Sequence, residues 1–234
     1  MRGLFGIFLM LLAAALPARA ADSAYPIALG FSADGTRFAF AEHGQQDGSG
    51  FSYAAVFVID LARDTWIEPP IRVLIRDEMT PANAGLWQAL DAARPALERA
   101  GITVPARVIH ALPFGLDRDR DQPYRFVIWH PAGPPHHEMS VSLRHHELPA
   151  DGCYDATYGF SLHQGDMDLY RDTRLSKSRG CPEHYDIQRA YFPDTLRDPP
   201  FVVTLIGVYR HGFEGLDMRH IAVPLPFRPD GPRE

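Results

Sequence analysis

From residue 36 onward, apolar and polar residues alternate in short runs. Thr36 to Glu42 sets Phe38 and Phe40 on one face, and Glu138 to Arg144 sets Met139, Val141 and Leu143 against Ser140, Ser142 and Arg144. A period of two marks a strand with one wet face. Tyr53 to Asp60 is instead a continuous β-branched and aromatic run, which suits a strand buried on both faces. The Gly-, Gln- and Asp-rich stretch His43 to Ser52 joins the first and last of these, and Asp34-Gly35 turns the chain into the first. Six further segments read as β, separated by Pro, Gly and Asp clusters: Ile71–Ile75, Arg107–His110, Tyr124–His130, Thr157–His163, Phe201–Arg210 and Arg219–Val223.

The period changes once. Thr80-Pro81 is an N-cap and first-turn pair, Leu86, Leu90, Ala93 and Leu97 recur at helical spacing, and Gly101 follows as a C′ residue. A helical insertion over 81–100 follows, with a kink or a break expected at Pro95, which lacks a backbone donor. The pattern therefore predicts a mainly β chain, an antiparallel β-sandwich or partly closed barrel carrying one or two short helices.

The first twenty residues differ in kind. One Arg precedes an apolar run from Leu4 to Leu16, and Pro17-Ala18-Arg19-Ala20 supplies the small-x-small pattern that a signal peptidase cuts. The run is shorter than the roughly 20 residues a membrane span needs. Residues 1–20 are thus expected to be a leader cleaved after Ala20, leaving 21–234 as one exported domain with no membrane span. Losing Arg2 and Arg19 takes the net charge from −6 to −8. Such a surface repels phosphate backbones and makes nucleic acid an unsuitable partner. Cys153 and Cys181, the two cysteines, are expected to form a disulfide in an oxidising compartment.

Catalytic motifs are missing: there is no G-x-S-x-G, P-loop, H-E-x-x-H or dinucleotide fingerprint. Eleven histidines invite a metal reading. His137 and His145 cannot share an ion, because eight positions along a strand span about 26 Å. A set of His130, His136, His137 and Glu138 is more coherent, since the Pro131–Pro135 turn would fold one strand end back on the next, and such donors would suit zinc or copper. Apart from that set, no cofactor is expected. Asp117 to Asp121 spaces carboxylates like the start of a calcium loop, but Gln122 and Ile128 stand where its glycine and last acid belong, so a charged turn is expected.

Two resemblances add to this. Residues 32–40 (SADGTRFAF) and 56–61 (VFVIDL) resemble one blade of a TolB-like β-propeller, which makes a small irregular propeller the alternative fold, although the repeats a propeller needs are missing. The Phe31-Ser32/Asp34-Gly35 pair, Phe38 to Phe40, Gln46 to Gly50, Ser178 to Pro182 with Tyr185, and Gly212 to Gly215 with Asp217 and Arg219 resemble a bacterial family of predicted secreted proteins built on a domain of unknown function. That resemblance implies export and brings no activity, cofactor or catalytic residue with it.

Two functions then compete. The first is a non-catalytic binding or envelope accessory module that takes an envelope protein, a glycan or a small ligand. It would use the loops at one end of its sheets, with Asp47, Ser49, Phe51, Phe213, Glu214 and Asp217 as candidates. The second is a metal-assisted periplasmic hydrolase built on the His130–Glu138 set.

Overall fold

A computed structural model of the chain describes residues 21–112, 122–128, 137–194, 199–213 and 215–228. The alternating segment at 36–42 becomes β2 (Arg37–Gln45), and the continuous apolar run becomes β3 (Ser52–Asp60). Both lie in a six-stranded antiparallel sheet with β1 (Tyr25–Ser32), β4 (Thr65–Trp66), β5 (Ile71–Ile75) and β6 (Ile102–Val104). Its strands run β4-β3-β2-β1-β6, and β5 shares the outer edge of β3 with β4.

The middle sheet runs β14-β13-β12-β7, from Leu216–Pro226, Phe201–His211, Pro182–Pro193 and Ala106–Ala111. The outer sheet runs β11-β10-β9-β8, from Met167–Arg171, Tyr158–Gln164, His137–Glu147 and Tyr124–Ile128. One helix, α1 (Ala84–Arg99), covers the far face of the first sheet.

The layers stack because the middle sheet is apolar on both faces. Tyr191, Val203 and Leu205 meet Phe31, Phe38, Phe40 and Phe57 of the first sheet. On its other face Tyr185, Ile187, Phe192 and Ile206 meet Phe126, Met139, Phe160 and Leu162 of the outer sheet. Three sheets and a helix therefore form a four-layer sandwich, mainly β as the sequence pattern requires. No barrel closes. The propeller alternative fails too: β7 leaves the run of consecutive strands to join β12, and a helix seals one outer face where a ring of blades would continue.

Leu86, Ala89, Ala93 and Ala96 of α1 bury against Ala39, Ala41, Ala54 and Val58, and small residues on both sides let helix and sheet approach closely. Two details depart from the sequence reading. Thr80 does not cap the helix; its hydroxyl donates to Asp77 (2.9 Å), and α1 starts after Asn83 with the Ser52 hydroxyl of β3 accepting the Gly85 N–H at 3.0 Å. A tertiary acceptor has taken the role of a local cap. Nor does Pro95 break the helix: it lies on the exposed face, where water can reach the carbonyl it leaves unpaired. Gly101 ends the helix at φ 64°, as expected.

Cys153 and Cys181 are joined, with Cα atoms 5.7 Å apart. Among the described residues no helix is long and apolar enough to cross a membrane. The leader at 1–20 and the charged turn at 117–121 lie outside the described residues.

Candidate functional site

Residues 21–25 lie beside β2, and alternation along both segments divides their side chains between two environments. Asp22 and Glu42 point towards the middle sheet. Ala21, Ser23, Tyr25, His43 and Gln45 point the other way, towards the start of α1, and with Asn83 they line a cavity of about 540 Å³. Tyr25 and His43 are register partners, with ring centroids 6.0 Å apart.

The middle-sheet side holds a clasp. Arg219 of β14 donates to Asp22 Oδ2 (2.6 Å) and to the Asp22 carbonyl (2.8 Å), while the Tyr53 hydroxyl donates to Asp22 Oδ1 at 2.6 Å. The guanidinium also lies 4.6 Å from the centre of the Tyr53 ring. Burial pushes the Tyr53 phenol far above its ordinary range, so it stays a donor. Glu42 Oε2 accepts the His220 backbone N–H at 2.9 Å and lies 3.3 Å from His220 Nδ1, both side chains being buried. A short parallel bridge between Ser23 and Met218 completes the seam.

Loops that the sequence offered as ligand candidates gather at this end. Gly44 packs under Tyr53, where a Cβ would stand 2.7 Å from the hydroxyl oxygen, and a Cβ on Gly215 would stand 3.3 Å from that of Ala21. Asp217 Oδ1 accepts the Asp22 N–H at 3.3 Å. The connection at 46–51 is an ordered turn: Gln46 N–H donates to the Phe51 carbonyl (2.9 Å), and the Ser49 hydroxyl reaches Gln46 Oε1 (3.2 Å). Asp47 Oδ2 and His43 Nδ1 are buried atoms without a hydrogen-bond partner. Phe51 is half-buried, Phe213 is exposed, and Glu214 lies outside the described residues.

Of the metal set, His130 and His136 lie outside the described residues. His137 and Glu138, adjacent on β9, take opposite faces: the His137 ring meets Phe227 edge-on at 5.8 Å, and Glu138 pairs with Arg125 at 2.6 Å. Among the described residues no three His, Cys, Asp or Glu side chains gather as a metal site would need.

Three arrangements were not anticipated from the sequence. The Ser178–Pro182 segment delivers Arg179 to a buried carboxylate on the far side of the molecule. Arg179 donates to Asp172 Oδ2 (2.5 Å) and to the Tyr170 hydroxyl (3.0 Å), Tyr170 donates to Asp172 Oδ1 (2.7 Å), and the Phe160 N–H completes the shell at 3.0 Å. The disulfide ties down the same segment two residues later. A second cavity, about 460 Å³, opens between the middle and outer sheets, where the His145 and His184 rings stack 4.7 Å apart. Third, the Ser161 hydroxyl lies 2.7 Å from His163 Nε2, and His163 Nδ1 lies 2.8 Å from Asp168 Oδ1. This is the connectivity of a nucleophile, base and orienting acid. Ser161 and His163 are both buried, and the Asp168 carboxylate also holds Arg171 at 2.9 Å.

No curated protein and no solved structure matches the chain. The model of the family described as predicted secreted protein (DUF2259) matches residues 39–226, and the chain belongs to that family. The matched span contains Arg179, Asp172, Glu42 and Arg219, so both buried ion networks are built largely from it.

Proposed function

We propose that this family member works in the periplasm or outside the cell, after cleavage behind Ala20, as a non-catalytic module that binds its ligand in the cavity beside Tyr25 and His43. One observation carries the reading: alternate residues of a single ribbon are spent on opposite tasks. Asp22 and Glu42 are fixed by Arg219, Tyr53 and the His220 backbone, which holds Ser23, Tyr25, His43 and Gln45 rigidly as a wall. A site whose supporting groups are locked needs little ordering when a ligand arrives. Its volume, about 540 Å³, lies within the roughly 300–1,000 Å³ common for small-ligand pockets.

A small-fragment screen followed by amide chemical shifts tests this. Binders should perturb Tyr25, His43, Gly44, Gln45 and Asn83 together. Hits that leave these amides still and cluster at another surface would overturn the reading.

A serine-type acyl hydrolase is the second reading, favoured by the Ser161–His163–Asp168 geometry. It requires Ser161 Oγ to reach a substrate, against its 2 % exposure. Labelling of Ser161 by a fluorophosphonate probe, abolished in Ser161→Ala, would establish it. No labelling leaves the relay as a structural network.

A further inference from the structure

We infer that the amino group exposed by cleavage behind Ala20 folds onto the carboxylate of Asp217, so that removal of the leader supplies the last ion pair of the seam between the first described residues and β14. The inference rests on the processing named above and adds what the new terminus does.

Hydrolysis of the Ala20–Ala21 peptide bond takes up one water. Its oxygen completes the Ala20 carboxylate, and its two protons turn the Ala21 N–H into an ammonium. The residue after that nitrogen is already fixed. Asp22 is buried, its side chain is held by Arg219 and Tyr53, and its N–H donates to Asp217 Oδ1 at 3.3 Å. Consecutive backbone nitrogens are at most about 3.7 Å apart, so the Ala21 nitrogen stands within about 7 Å of the same oxygen, and rotation about the Ala21 Cα–C bond alone brings it nearer.

The carboxylate is placed to receive it. Gly212 leaves no room for a Cβ beside Asp217 Oδ1, and its N–H donates to the Gly215 carbonyl at 2.7 Å. Arg219 spends its guanidinium on Asp22, and Arg210, the register partner of Asp217 on β13, makes no ion pair with it, so among the described residues no side-chain cation pairs with this carboxylate. Glu42 is turned to His220. His43 and Tyr25 lie across the cavity that Ala21 also lines, so the new pair would fix one more part of that wall. Burial holds His43 below its ordinary range and Tyr53 far above its own, so neither titrates where an α-amine does. An ammonium beside a half-buried carboxylate keeps its proton to higher pH. Its stabilisation is then present below the ordinary α-amine range and lost as pH rises through the raised value.

Exported protein isotope-labelled at alanine, with its first residue fixed by intact mass, tests this. The Ala21 ammonium should titrate at about pH 9, above the ordinary range of roughly 7.7–8.0, and in Asp217→Asn it should fall back into that range. Asp217→Asn, and separately a Gly-Ser dipeptide placed ahead of Ala21, should each remove about 2–4 °C of the loss in melting temperature that the parent shows as pH rises from about 7 to 10. A first residue other than Ala21 would overturn the processing and this inference together. A chain that starts at Ala21 but whose amine titrates in the ordinary range, or as high in Asp217→Asn as in the parent, would overturn the inference alone and leave the processing and the cavity standing.

Discussion

Arg179 and Asp172 form an ion pair at 2.5 Å with their side chains only 9 % and 2 % exposed. Burial alone would lower the Arg179 pKa, but the hydrogen bond and charge of Asp172 outweigh it and push the guanidinium above its ordinary range. The cation also lies over the Phe160 and Tyr185 rings, at 5.4 and 5.7 Å. Removing one partner strands the other. Arg179→Met should destabilise the fold by about 3–5 kcal/mol in urea unfolding. The Arg179→Met/Asp172→Leu double variant should recover only part, because the Phe160 N–H and the Tyr170 hydroxyl then lack their acceptor. A loss under 1 kcal/mol in the single variant would show that the pair adds nothing net.

Cys153 and Cys181 close a loop across a separation of 28 residues. In the chain-entropy treatment that is worth about 3.5 kcal/mol. Reduction, or the Cys153→Ser/Cys181→Ser variant, should lower the denaturation midpoint accordingly. The 177–181 segment that carries Arg179 should lose amide protection first.

Asp34 predicts an acid limb. Its carboxylate accepts the hydroxyls of Ser32 (2.6 Å) and Thr36 (2.8 Å) and the Thr36 N–H (3.1 Å), and these bonds, led by Ser32, lower its pKa from 3.8 to about 2. A depressed folded-state value means stabilisation present above 3.8 and lost as pH falls towards about 2. Melting temperature measured across that window should drop less steeply in Asp34→Asn than in the parent. Because the group is exposed, the effect is modest.

Loosening the clasp should free the start of the described chain without unfolding the sheets. Tyr53→Phe removes a hydrogen bond to a carboxylate, worth roughly 1.5–3 kcal/mol. In hydrogen exchange the Ala24 amide, bonded to the Met218 carbonyl at 3.0 Å, should lose protection, while Val56 and Val203 should not. Equal losses at all three would mean that the clasp holds the whole fold.

Strands with clean patterns were legible beforehand. The runs behind β2, β3, β5, β9 and β13 and the apolar stripe of α1 all lie where alternation or spacing puts them. β12, in the middle of the molecule, was not legible. Register shifts between Pro182 and His184 and between Ile187 and Arg189 interrupt its alternation, and Glu183, His184, Asp186 and Gln188 dilute its apolar count. β1 is obscured in the same way by Pro26 and by the shift at Ala28/Gly30, where Gly30 (φ 132°) passes the Val104 carbonyl so closely that a Cβ would stand 2.6 Å from it. The candidate loops at Gln46–Gly50 and Gly212–Asp217 could be named individually. What joins them could not: Asp22 and Arg219 stand 197 positions apart, and no local signal encodes that distance.

The Ser23–Met218 bridge joins the first described residues to the last strand. Synthesis from the amino end delivers Asp22 early and Arg219 late, so this seam can close only after Arg219 has been added to the chain. Its closure is therefore a late event in folding, and until then the segment around Asp22 is open to proteolysis.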